Sequence, residues 1–381
     1  MKKIIISSDS FKGSLSSIEV ANAIEEGIKK VFPDCETIKT PIADGGEGTA
    51  ETLVNALGGE MIEVKVHDPL MRPIVVKYGL VDDGKTAVIE MASASGITLL
   101  KKQEQDPSAT TTFGTGEIIK DALERGCRSF LIGIGGSATN DAGTGMLRAL
   151  GYRFFDKNGN ETDGTGGSLH SICSIDEAGT MPELKEADFK IACDVNNPFS
   201  GQNGAAYIYA PQKGASQQMV KELDEGLESF RKLIETENKL DLNTISGAGA
   251  AGGLGGGFVA FLNAQLKPGI EMVLEAVGFD KHLQNADLVI TGEGKLDSQT
   301  GMGKAASGIL NAANKYNVPV IAIGGSVEDV KKLNKQGFVS VFSIAPRPMS
   351  LEEAIQKVSA QKNTIQITEQ IMRTIKKFQN K

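Results

Sequence analysis

The residues best suited to chemistry form one run, Gly133-Ile134-Gly135-Gly136-Ser137-Ala138-Thr139-Asn140-Asp141-Ala142-Gly143. A short apolar strand, Phe130 to Ile134, leads straight into it. Glycines let the backbone approach a ligand and leave N–H groups free to cradle an anion. Ser137, Thr139, Asn140 and Asp141 add donors and acceptors suited to phosphate, hydroxyls or a hydrated Mg²⁺. An Asn-Asp helix cap would use the same residues. What separates the two readings is repetition, because strand, then Gly, then Asp or Glu recurs four more times. The strand-end acids are Asp9, Asp44 with Glu47, Asp141, Asp194 with Asn196, and Glu293 with Asp297. Interspersed with Lys12, Lys295 and Lys304, they have the make-up of a phosphoryl-transfer site. Carboxylates there hold Mg²⁺ and accept the proton of the attacking hydroxyl, and cations offset phosphate charge.

Other motifs narrow the chemistry. No Walker A loop is present: residues 298–305 retain Gly303-Lys304 but have Ser298 for the first Gly and Ala305 for the metal-binding hydroxyl. Gly247-Ala248-Gly249-Ala250-Ala251-Gly252 matches G-x-G-x-x-G, but no convincing strand precedes it. The stretch 247–257 therefore reads as a flexible loop feeding a tightly packed helix, and a Rossmann dehydrogenase is disfavoured. His67, His170 and His282 fall outside the loops, which argues against a Ser-His-Asp hydrolase and leaves an aspartate as the general base.

The elements that must position these loops alternate strand and helix at both ends of the chain. Lys3–Ser7 and Glu36–Ile42 read as strands, followed by helices over 17–31 and up to Leu57. Leu288–Ile290, Val318–Ile323 and Val339–Ile344 resume the rhythm, ahead of a helix from Leu351 and another over Thr364–Lys377. Successive βα units imply a parallel doubly wound sheet of five strands. Between the ends, Ile62–Val66, Ile74–Val81 and Ala87–Met91 alternate like antiparallel hairpins, and Gln217–Glu237 is amphipathic. The expected fold is α/β with two domains. A doubly wound, Rossmann- or flavodoxin-like domain takes residues 1–66 and 286–381, and an inserted mixed α/β domain takes 67–285. In such sheets ligands bind outside the carboxyl ends of the strands, here in the cleft between the domains.

Composition agrees. A chain of 381 residues exceeds what one core supports, and 40% hydrophobic with 23% charged residues is ordinary for a globular protein. A net charge of −8 argues against nucleic acid as a partner. The four cysteines lack CxxC spacing, and no apolar stretch reaches ~18 residues. Free thiols, no membrane span and a cytoplasmic location are expected.

Six ordered blocks resemble the signature blocks of the bacterial type I glycerate kinase family: residues 9–16 (DSFKGSLS), 43–49 (ADGGEGT), 135–141 (GGSATND), 193–198 (CDVNNP), 247–253 (GAGAAGG) and 291–297 (TGEGKLD). The resemblance runs from the first strand to the last. It implies ATP-dependent phosphorylation of D-glycerate with Mg²⁺, and members often form homodimers. On that reading Asp194, Asp297, Lys12 and Lys295 are catalytic. Ser8, Asp9, Ser10, Asp44, Gly45, Gly46 and Asn196 bind substrate. Gly135, Gly136, Ser137, Thr139, Asn140, Glu293 and Lys304 hold nucleotide or phosphate, and Asp141 and Asp44 hold the metal. The alternatives are a kinase for a related small hydroxy acid and a non-catalytic sensor of a sugar acid or nucleotide. Whether O2 or O3 of glycerate is phosphorylated stays open.

Overall fold

The structure, a computed structural model, describes residues 1–40, 42, 48–297 and 305–379. Its strands in chain order are β1 (Lys3–Ser8), β2 (Glu36–Lys39), β3 (Glu60–His67), β4 (Pro73–Val81), β5 (Thr86–Glu90), β6 (Ser129–Gly133), β7 (Arg153–Phe155), β8 (Ser174–Asp176), β9 (Asp188–Ala192), β10 (Gln265–Lys267), β11 (Leu288–Leu296), β12 (Val320–Val327) and β13 (Ser340–Ser343). The chain divides into two compact units, residues 1–44 with 273–381 and residues 45–272. Among the described residues no helix is long and apolar enough to cross a membrane.

The first unit holds a five-stranded sheet, ordered β13-β12-β11-β1-β2 and parallel throughout. Counted within the unit this is the flavodoxin-like order 2-1-3-4-5, whose direction reverses between β1 and β11. A strand covered on both faces must be apolar on both, and Ile4, Ile5 and Ile6 are all fully enclosed. Ile24 and Ile28 of helix Ser17–Lys29 and Ile371 and Met372 of helix Lys357–Gln379 complete this core. The closing segment is a single helix from Lys357 rather than one starting at Thr364. Its β-branched threonines are accommodated because Thr364 and Thr368 donate to the carbonyls of Ala360 and Thr364, four residues back (2.8 Å each).

The second unit holds a mixed sheet, β10-β9-β6-β5-β4-β3. β3 and β4 form the antiparallel hairpin the alternation predicts, while β5, β6, β9 and β10 run parallel. Residues 45–66 were expected with the first unit. They fall in the second because β3 pairs along its whole length with β4, from Glu60↔Leu80 to His67↔Pro73. Residues 273–285 likewise join the first unit. Phe130 of β6 stacks on Phe189 of β9 at 4.6 Å, and Phe258 packs against Phe189 at 6.3 Å.

The first unit's two long helices meet at Gly27, where an added Cβ would lie 2.7 Å from both the Ile365 carbonyl oxygen and the Thr368 Cβ. Gly27→Val should therefore destabilise the protein by about 1–3 kcal/mol, the usual cost of overpacking. The denaturant midpoint measures this, and an unchanged midpoint would contradict the close approach.

Candidate functional site

In the first unit the reversal between β1 and β11 fixes where a ligand can reach the sheet. The last residues of β1 are spent on the sheet itself. Ser7 donates to the Thr40 carbonyl (3.0 Å), and Ser8 to the carbonyls of Asp9 (2.9 Å) and Gly292 (3.2 Å). Ser8, expected to bind substrate, is thus fully buried and ties β1 to β11. Asp9 is also buried, and its carboxylate accepts the Ser10 N–H at 2.6 Å. The chain then doubles back between Phe11 and Leu15, with Gly13 at φ +77°.

That turn presents Ser10, Lys12 and Ser14 to a cavity of about 820 Å³, within the usual range of small-molecule sites. Glu293, Lys295 and Asp297 of the β11 end line the same cavity. Of the expected catalytic and binding residues, the structure therefore brings Ser10, Lys12, Glu293, Lys295 and Asp297 together. Lys295 lies 3.2 Å from Glu328 and 3.5 Å from Asp297, and the Glu328 carboxylate above all raises its pKa, so it stays charged. Ser14 Oγ is enclosed with no hydrogen-bond partner among the described residues. Arg347, which no motif marked, lines the cavity after β13 and is ion-paired with Glu353.

In the second unit the 133–143 loop follows β6. Its strand-like start is held by the Ile97 N–H on the Gly136 carbonyl (2.9 Å) and the Ala138 N–H on the Ser95 carbonyl (2.9 Å). Gly135 and Gly136 are exposed, with Gly136 at φ +75°, whereas Ser137 to Asp141 are buried. Asp141, expected to bind metal, accepts from the Thr112 N–H (2.7 Å), the Thr112 hydroxyl (2.8 Å) and the Gly143 N–H (3.2 Å). Burial raises its pKa against those donors, and it anchors the start of helix Phe113–Glu124 rather than facing solvent. Thr139 Oγ1 and both amide atoms of Asn140 are buried without a hydrogen-bond partner among the described residues.

Behind the loop stands Lys213, 2% exposed, which donates to Ser137 Oγ and to the Thr139 carbonyl, both at 2.6 Å. Burial lowers its pKa to about 7, partly opposed by Asp141. Nothing in Ala210-Pro211-Gln212-Lys213-Gly214 signals this part, since a lone lysine between short helical turns normally reads as solvated. The 247–257 glycines prove to be packing residues. A Cβ on Gly252 would lie 2.1 Å from the Thr139 carbonyl oxygen, and one on Gly257 would lie 2.3 Å from that of Ala142.

Asp194 and Asn196 follow β9 and are exposed. Asp194 accepts the Gly269 N–H (2.9 Å) at the start of helix Gly269–Ala276, and Asn196 accepts from the Ser246 hydroxyl (2.9 Å). Asp44, Gly45, Gly46, Glu47 and Lys304 lie outside the described residues.

A doubly wound sheet with cations and carboxylates collected at its switch point is the equipment of an α/β phosphotransferase. Residues 4–376 match the model of the glycerate kinase family. The chain is 47% identical to glycerate 2-kinase of Escherichia coli K12, covering 93% of both chains, and 48% identical to glycerate kinase of Bacillus subtilis 168, again over 93% of each. A crystal structure described as a candidate glycerate kinase 2 from Salmonella typhimurium LT2 superposes with a TM-score of 0.91 at 43% identity, covering all of both chains. The chain belongs to the glycerate kinase family.

The buried lysine makes stability depend on pH. Its folded pKa of about 7 lies below the ~10.4 of an unfolded lysine, so between those values the unfolded chain holds a proton that the folded chain has released. Stability contributed at this site thus rises with pH across that window. Wild type should gain on Lys213→Met as pH increases from about 7 to about 10, read as the difference between their denaturation midpoints. Parallel midpoints would show that the ammonium is not desolvated.

Proposed function

We propose that this chain transfers the γ-phosphoryl group of ATP to a hydroxyl of D-glycerate. One observation carries the reading: in a chain matched end to end by the family, Lys12, Lys295, Glu293 and Asp297 converge on one cavity at the sheet's switch point. Phosphoryl transfer asks little of the protein beyond positioning and charge. Lys12 and Lys295 offset phosphate charge. In the second unit the exposed Gly135–Gly136 backbone is a second anion seat, with the Ser137 hydroxyl held in place by Lys213. An unpaired buried amide such as Asn140 costs about 1–3 kcal/mol, and keeping one beneath this loop favours a functional part over a packing one.

Among the described residues no three His, Cys, Asp or Glu group around one point. Mg²⁺ bound to nucleotide phosphates needs only one or two carboxylates. Glu293 and Asp297 would hold it in the cavity, and the ion would supply positive charge against the transferring phosphoryl oxygens. Asp141 is not assigned to it, because its oxygens are already engaged by Thr112 and Gly143. Asp194, exposed at the end of β9, is assigned to take the proton of the attacking hydroxyl. The name of the Escherichia coli relative favours the 2-hydroxyl as acceptor.

Purified protein given Mg-ATP and D-glycerate should release ADP, with 2-phosphoglycerate identified by ³¹P NMR. Asp194→Asn should lower kcat by roughly 10² or more, the usual weight of a general base. A near-normal kcat in that variant would remove Asp194 from the role. Glycerate binding by calorimetry with no ADP formed under any divalent metal would favour a sensor and overturn the kinase reading.

A further inference from the structure

We propose that the β12–β13 end of the first unit's cavity seats the adenine ring of the nucleotide, an assignment that rests on the kinase reading above. The cavity has two chemically different ends. Lys12 and Lys295 stand after β1 and within β11, whereas Ile344, Met349, Leu351 and Ile355 follow β13, where Arg347, which also lines the cavity, is ion-paired with Glu353. β13 lies three places from β1 in the sheet, about 14 Å at normal strand spacing. That is room to lay base, ribose and phosphates side by side along the strand ends.

Only one reactant can use the apolar end. D-glycerate is a small anion bearing a carboxylate and two hydroxyls, and it has no face to place on isoleucine or leucine. An adenine ring is flat and apolar on both faces, with polar groups only at its edge. Leu351 is 76% exposed and Ile355 38%, at the two ends of the short helix Leu351–Ala354, and both line the cavity. A ring laid against them removes apolar surface from water. Asn363, from helix Lys357–Gln379, lines the same cavity, and its carboxamide has no hydrogen-bond partner among the described residues. A carboxamide offers the donor and acceptor pair that matches an adenine edge.

The test separates base from phosphates. Leu351→Ala/Ile355→Ala alters exposed side chains and should fold. It should raise KM for ATP by about tenfold and weaken inhibition by adenosine to match. KM for D-glycerate and inhibition by inorganic tripolyphosphate should stay at wild-type values. Asn363→Ala, tested independently, should also weaken adenosine more than tripolyphosphate. Adenosine inhibiting both variants as well as wild type, or tripolyphosphate inhibition falling in step with it, would overturn the seat. Calorimetry with ADP keeps this separate from the kinase reading. Should wild type show no turnover, weaker ADP binding by the double variant still supports the seat, and equal binding or none by wild type overturns it.

Discussion

Every residue of β1 from Ile4 to Ser8 is sealed from solvent, and its two edges pair with strands from distant parts of the chain. Ile4 pairs with Thr37 on one side and with Leu288 on the other. The sheet cannot close until β11 has arrived, which makes the first unit's contacts strongly non-local and its closure slow. Residues 45–272 soften that cost by building a core of their own, so the ends are joined by a folded body rather than a long coil.

The same pairing decides where chemistry begins. Ser7 and Ser8 spend their hydroxyls on carbonyls of the neighbouring strands, so β1 keeps its polar termination inside the sheet. The first side chains released from the sheet are those of the Ser10–Ser14 turn, and the reversal at β1 sets them beside Glu293 and Lys295. A charged constellation built on strand ends is fixed before the substrate arrives, which is how preorganised electrostatics lowers a phosphoryl-transfer barrier.

Much of this was legible in the sequence because burial on two faces demands a continuous apolar run, and Ile4-Ile5-Ile6 and Leu288-Val289-Ile290 are such runs ending in polar residues. The five parallel strands and the loops after them follow from that pattern. Which side chains of a loop turn inward does not, because it depends on what packs behind. Thr139, Asn140 and Asp141 look as available as Gly135 in sequence, yet Thr112, Gly252 and Lys213 enclose them. Lys213 and Arg347 were missed for a related reason: neither sits in a glycine-rich strand end, and each acquires its place only through tertiary packing. The 247–253 block matched a nucleotide fingerprint, but its glycines lie close against the carbonyls of Val195, Pro198 and Thr139.

On the proposed kinase reading, nucleotide lies along the strand ends of the first unit, from the turn after β1 to the segment after β13. Hydrogen exchange with and without saturating Mg-ADP reads it most directly. Amides in 9–15, 292–297 and 343–355 should slow, while those of 247–257, already held by packing, should not change. Unchanged exchange in the first three segments, with nucleotide bound and protection elsewhere, would place the nucleotide away from these strand ends.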